Sequence, residues 1–256
     1  MIHVKSNSEL KKMRQAGRIV AEVLERMREW VAPGVTTGEL NELAEAVIRS
    51  YGAVPSFKGY PPGGVHPFPA AICASVNEEL VHGIPGPRVL QEGDIISIDV
   101  GAIYEGYHGD AAVTLPVGEI GEEARRLLEV TEGALYAGIA QTRAGNRSGD
   151  ISAAIQAYAE GHGYNVVREY TGHGIGRRMH EDPQVPNFGE PGRGTLLRPG
   201  MTIALEPMLL SGDYRVHVLE DNWTVVSADG RLTAHFEHTI VVRDGGAEIL
   251  TRLGCD

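Results

Sequence analysis

The sequence predicts an α+β protein made of two pseudo-symmetric α/β halves, and three observations carry that prediction. The order helix, helix, strands occurs twice. Gly34-Val35-Thr36-Thr37-Gly38-Glu39-Leu40 lines up with Gly145-Asn146-Arg147-Ser148-Gly149-Asp150-Ile151, and Leu90-Gln91-Glu92-Gly93 with Leu197-Arg198-Pro199-Gly200. Beyond the second pair, Ile96, Ile98 and Asp99 match Ile203, Leu205 and Glu206 at the same offsets. The halves run roughly over residues 1–118 and 119–256 of a single domain covering 1–256.

Leu10, Met13, Val20, Val23, Leu24 and Met27 recur at helical spacing and predict an amphipathic helix over 9–31. Ser6 with Glu9 is a capping-box pattern, and Ala32-Pro33-Gly34 is a stop. A second helix is expected over 38–51, capped by Thr36 with Glu39 and ended by Gly52. Strands follow at Ala71–Val76, Asp94–Ile103 and Tyr107–Leu115. Helical spacing returns over 121–140 (Leu127, Leu128, Leu135, Ile139) and over 149–160, where Ser148 is the expected cap. Strands are expected near 201–206, 214–220, 222–228 and 235–242.

Lys and Arg number 23 against 34 Asp and Glu, a formal charge of −11 that speaks against nucleic acid and anionic membranes as partners. The two cysteines, Cys73 and Cys255, lie far apart, which excludes a disulfide scaffold and a Cys-based zinc site and fits a reducing cytoplasm. No secretory leader and no membrane-length apolar run is expected. Glycine is abundant at 33 residues, implying many tight turns.

Ile95-Ile96-Ser97-Ile98-Asp99-Val100 places an acid inside an apolar strand, and Asp110 follows on the next one. A hairpin folded about 104–105 would set Asp99 and Asp110 roughly opposite each other. Like charges facing across a strand pair are unfavourable, and burying them unpaired costs several kcal/mol more unless a cation sits between them. Ile203-Ala204-Leu205-Glu206 and His235-Phe236-Glu237-His238-Thr239 each put a further Glu into a segment that reads as buried strand. Glu206 is the repeat counterpart of Asp99, so the two should converge on the pseudo-twofold axis. Thr171-Gly172-His173-Gly174-Ile175-Gly176 presents an imidazole between glycines. One imidazole and four carboxylates suit a pair of divalent first-row ions: Mn²⁺, Fe²⁺, Co²⁺ or Zn²⁺. Val81-His82-Gly83-Ile84 aligns with Gly172-His173-Gly174-Ile175, which makes His82 the expected half-domain counterpart of His173.

At these residues the chain resembles the type I methionine aminopeptidases, over nearly its whole length. The resemblance is carried by Ser75-Val76-Asn77-Glu78, Val81-His82-Gly83-Ile84-Pro85, Asp99-Val100, His108-Gly109-Asp110 and Gly172-His173-Gly174-Ile175-Gly176. It continues through His180-Glu181-Asp182-Pro183, Leu205-Glu206-Pro207 and Phe236-Glu237-His238-Thr239. It implies the pita-bread fold, a curved antiparallel sheet with helices on its outer face. It implies a hydrolase that removes the N-terminal methionine of peptides and nascent chains when the second residue is small. Two divalent ions are implied, with Asp99 on one, His173 and Glu206 on the other, and Asp110 and Glu237 bridging them. A water activated by the metal pair would attack the scissile carbonyl, with Glu206 as proton shuttle, His180 on the carbonyl and its developing oxyanion, and His82 near the scissile nitrogen.

The resemblance implies a methionine pocket formed by Tyr60, Phe68, Cys73, His82 and Trp223. Three departures from the family pattern stand out: a longer loop at Pro61-Pro62-Gly63-Gly64-Val65-His66, Met179 before His180, and His235 two residues before Glu237. The resemblance further implies a cytoplasmic monomer, transiently in contact with the ribosome, that keeps its own Met1 because Ile2 is bulky. The runner-up is a peptidase of the same fold that cuts before proline; such enzymes usually carry an extra amino-terminal domain.

Overall fold

A computed structural model describes residues 2–61 and 63–254; Cys255, Pro62 and Met1 lie outside the described residues. The first half runs α1 (Asn7–Trp30), α2 (Thr37–Ser50), β1 (Val54–Pro55), β2 (Ile72–Val76), β3 (Glu79–Val81), β4 (Ile95–Tyr104) and β5 (Tyr107–Pro116). The second half opens with α3 (Glu122–Gln141) and α4 (Ser148–Gly161). Its strands are β6 (Asn165–Val166), β7 (Thr171–Gly174), β8 (Glu181–Pro186), β9 (Thr202–Leu205), β10 (Met208–Leu210), β11 (Val216–Val218), β12 (Val225–Ser227), β13 (Thr233–His235), β14 (His238–Arg243) and β15 (Gly246–Ile249).

Both expected capping boxes form. At α1, Glu9 accepts from the Ser6 backbone N–H at 2.8 Å and from the buried Tyr107 hydroxyl of β5 at 2.7 Å. The helix start is thereby tied to the sheet, and these hydrogen bonds hold the Glu9 carboxyl down at about 2. Glu9→Ala is expected to cost about 1–2 kcal/mol at pH 7, the loss of a cap plus a charge-assisted hydrogen bond. Because the folded-state value is depressed from 4.5, the ionised group stabilises fully above that pH and stops doing so as pH falls towards 2. Urea unfolding of both proteins along that range should show the difference shrinking. At α4 the cap lies one residue earlier than expected. Arg147 is the capping position, its N–H donating to Asp150 at 2.7 Å, while the Ser148 hydroxyl accepts from the Thr195 N–H instead.

Every strand pairing is antiparallel. In the first half β4 pairs along its length with β5 and, on its other edge, with β2 and β1. The second half forms a sheet in the order β15-β14-β9-β7-β8. The two sheets join where Ala112 of β5 and Glu237, just before β14, exchange backbone hydrogen bonds of 3.3 and 2.9 Å. One buried apolar cluster reaches from Ile19 and Leu40 through Ile96 and Val113 to Leu127, Ile155 and Ile240, so both helix pairs pack against the joined sheets.

The repeat is expressed in backbone bonds. Thr36 bridges Val89 in one half, and Arg147 bridges Leu196 in the other. At the junction, the Thr114 hydroxyl accepts the His235 N–H at 2.9 Å and donates to its carbonyl at 2.8 Å. Across the axis the Thr239 hydroxyl does the same for Asp110, at 3.0 and 2.7 Å.

Four further sequence expectations are corrected. The β4–β5 hairpin turns on Glu105 and Gly106, both at positive φ, not on 104–105. Asp99 therefore pairs with Ala112 and Asp110 with Gly101, so the acids are diagonal neighbours on one sheet face rather than directly opposed. The strands expected at 214–220 and 222–228 shrink to β11 and β12, which pair with β3 in a separate small sheet. The strand expected over 235–242 is broken between β13 and β14. Finally, the pairing of β7 with β9 matches that of β2 with β4, which sets His173 opposite Ala204 as Ser75 is set opposite Ser97. Ser75, not His82, is the positional counterpart of His173; the shared Gly-Ile turn is a local resemblance outside the strand register.

Candidate metal centre and substrate pocket

Two interruptions of the strand ladder create the centre. Met208 pairs with His235 on one side, Leu205 with His238 on the other, and between them Glu206-Pro207 faces Phe236-Glu237. Proline lacks an N–H and ends the β9 ladder. Glu206 and Glu237 thus leave the sheets at one level, beside Asp110 and Asp99 of the hairpin. His173 comes from β7, where Gly174 lets the strand pack closely against the β8 backbone: a Cβ there would lie 2.1 Å from the Asp182 carbonyl oxygen.

His173 Nδ1 donates to the Gly174 carbonyl at 2.9 Å, which can only accept, so Nε2 carries a free lone pair. That nitrogen lies 3.5 Å from Glu206 Oε1 and 4.0 Å from Asp110 Oδ2. Asp110, His173 and Glu237 form one group able to hold an ion; Glu206, His235 and Glu237 form a second. Oxygens of Asp99, Asp110 and Glu237 and the Nε2 of His235 are buried without a hydrogen-bond partner. Among the described residues no Lys or Arg pairs with the four carboxylates. Burial pushes the Asp99 carboxyl up to about 7. Burial and mutual repulsion raise Asp110 and Glu237 well above the carboxylate range, and burial with the charge of Asp99 does the same to Glu206. Burial holds His173 and His235 down at about 3, the neutral form that ligates metals. Orphaned oxygens, neutral imidazoles and an uncompensated acid cluster all fit divalent cations.

Every sequence-predicted site residue lines one cavity of about 170 Å³. Asp99, Asp110, His173, Glu206 and Glu237 form its floor, and Tyr60, Phe68, Cys73, His82, His180 and Trp223 surround it. The longer 61–66 loop leaves both aromatics in place: Phe68 meets Trp223 edge-on at 5.2 Å, and Tyr60 meets His180 at 5.2 Å. His82 sits at φ 61°, an uncommon conformation for a side-chain-bearing residue. It is held there because Gly83 backs onto the Ala74 carbonyl, where no Cβ fits. The His82 ring faces Tyr170 at 5.5 Å and Trp223 at 6.0 Å. The Tyr60 hydroxyl and His180 Nδ1 are 2.6 Å apart. Tyr170, Phe57 and Met179 also line the cavity, and Asn187 holds the Glu206 carbonyl at 3.0 Å. Tyr170 and Asn187 carried no sequence signal, being recruited from loops by tertiary contact. Met179 and His235 were visible only as departures from pattern.

A model of Metallopeptidase family M24 matches residues 11–244. The chain belongs to this family. It is 53% identical over 253 residues to methionine aminopeptidase 1 of Bacillus subtilis, covering 99% of this chain and all of that one. The crystal structure of the methionine aminopeptidase of Thermotoga maritima superposes with a TM-score of 0.95 at 49% identity, covering 98% of this chain and 100% of the other. The Xaa-Pro dipeptidase of Bacillus anthracis shares the M24 fold at a TM-score of 0.79 and 26% identity, with 99% of this chain matching 63% of that one. Full-length agreement therefore lies with the methionine aminopeptidases of the family, and the architecture is the pita-bread α+β fold. Among the described residues no helix is long and apolar enough to cross a membrane.

Proposed function

We propose that this chain is a single-domain methionyl aminopeptidase that removes the N-terminal methionine of peptides and nascent proteins whose second residue is small. The observation that carries the reading is the junction of an apolar aromatic cavity with the five-residue acid–imidazole cluster. Asp99, Asp110, His173, Glu206 and Glu237 would hold two divalent ions, of the Co, Mn, Fe or Zn type. Such ions supply a water that loses its proton near neutral pH and a polarised carbonyl.

The protein's own groups do the rest. The cavity takes the thioether against Phe68, Trp223 and Tyr60, where sulfur–aromatic contact is favourable. With the Tyr60 hydroxyl as donor to His180 Nδ1, the imidazole keeps its Nε2–H to offer the scissile carbonyl and its developing oxyanion. His82, its pKa lowered to about 4 by desolvation and so neutral, is read as standing near the scissile nitrogen. Glu206 moves the proton from water to the leaving amine. The reading includes a cytoplasmic monomer with transient ribosome contact and no nucleic-acid partner.

Peptide assays test it. Met-Ala-Ser should be cut after methionine, whereas Met-Ile-Ser should resist; cleavage of Ala-Pro peptides alone would point to the proline-specific branch instead. Trp223→Ala should lower kcat/KM for Met-Ala-Ser about 10- to 100-fold, mainly through KM, since an apolar pocket wall contributes about 1–3 kcal/mol. An unchanged KM would remove Trp223 from the pocket.

A further inference from the structure

His235 is absent from the five-ligand reading, yet it occupies a ligand's seat. Its backbone is clamped by the Thr114 hydroxyl just as Asp110 is clamped by Thr239 across the pseudo-twofold axis. The repeat thus places an aspartate on one side of the centre and an imidazole on the other. The His235 side chain is 2% exposed, and its Nε2 has no hydrogen-bond partner. That nitrogen lies 3.8 Å from Glu237 Oε2 and 3.9 Å from Glu206 Oε2. Both separations are too long for hydrogen bonds. They match the spacing of two atoms bound to one first-row ion, about 3–4 Å when each bond is about 2.0–2.2 Å. A buried, unpaired polar nitrogen is costly, and a cation shared with the two glutamates is the partner that relieves it.

We propose that His235 Nε2 is a direct ligand of an ion held between Glu206 and Glu237, so that this centre binds metal through two imidazoles, His173 and His235. The inference rests on the two-ion reading of the site. A second imidazole in place of oxygen donors biases the centre towards borderline ions such as Co²⁺ and Zn²⁺ and away from Mn²⁺.

X-ray absorption on the protein loaded with two equivalents of Co²⁺ counts the imidazoles directly. Two per centre are expected in the wild type and one in His235→Gln. Calorimetric titration of the metal-free proteins should show His235→Gln weakening Co²⁺ binding more than tenfold and Mn²⁺ binding less. Two bound ions with a single imidazole in the wild type overturn this inference alone, whether or not the variant folds. Equal Co²⁺ affinity in His235→Gln and wild type also overturns it. A wild type that takes up no ion overturns the two-ion reading and this inference with it.

Discussion

Asp110→Asn is expected to lower methionine release by ~10³-fold or more, equivalent to about 4 kcal/mol of barrier, while making the metal-free protein more stable. Both effects have one cause. Asp110 and Glu237 are buried beside the half-buried Asp99 and Glu206, and no cationic side chain among the described residues answers them. With metal, Asp110 is expected to hold both ions; without metal, its buried carboxyl either repels its neighbours or must hold a proton. Removing it therefore costs metal affinity and relieves the empty shell. Thermal melts with chelator and with Co²⁺ would separate the two: the variant should melt above wild type in chelator and below it in Co²⁺. Metal bound at a hundredfold excess over Kd adds about 2.7 kcal/mol to wild type. A variant that retained two ions and full activity would remove Asp110 from the bridge.

The same cluster sets the sign of the pH dependence. Asp99 has its folded-state value raised from 3.8 to about 7, so the folded, metal-free protein holds a proton that the unfolded chain gives up. Metal-free stability should fall as pH rises between those values. Metal-loaded protein should run the other way, because protons compete with ions for the carboxylates.

His180→Ala is the second large effect. His180 touches Tyr60 through its Nδ1 and stacks edge-on against His173, with ring centroids 4.4 Å apart. It is an exposed residue lining the cavity that holds the carboxylates, where a scissile carbonyl is expected. Losing one oxyanion donor costs about 10²–10³ in kcat. Metal content and KM for Met-Ala-Ser should change little, which distinguishes this role from that of His173. Tyr60→Phe should reproduce part of the kcat loss by freeing the His180 tautomer. A variant that lost metal in proportion to activity would make His180 a ligand rather than a donor.

Much of the molecule is legible in the sequence alone. Ser6 with Glu9 and Thr36 with Glu39 start helices through bonds that span three residues, so their pattern is complete in the local chain. Asp99, Glu206 and Glu237 stand out as charges in apolar segments that read as strand, a conflict that a cation resolves. The repeat showed in paired glycine turns, and it returned as paired backbone bridges. His82 was misassigned within that repeat because four similar residues recur at a turn, whereas counterpart positions are defined by which strands pair.

What the sequence determined alone were the helices, the capping boxes of α1 and α2 and the apolar runs, and it offered the five acid–imidazole residues as candidate ligands. Tertiary structure decided that Asp99 and Asp110 stand diagonally, that Glu206 and Glu237 meet at facing breaks in two ladders, and that His235 turns its unpaired nitrogen towards them. The division follows from range. A cap or an amphipathic period is satisfied by neighbours within a few residues, but a strand's side-chain alternation says which face is buried and not which strand, or which metal, lies against it.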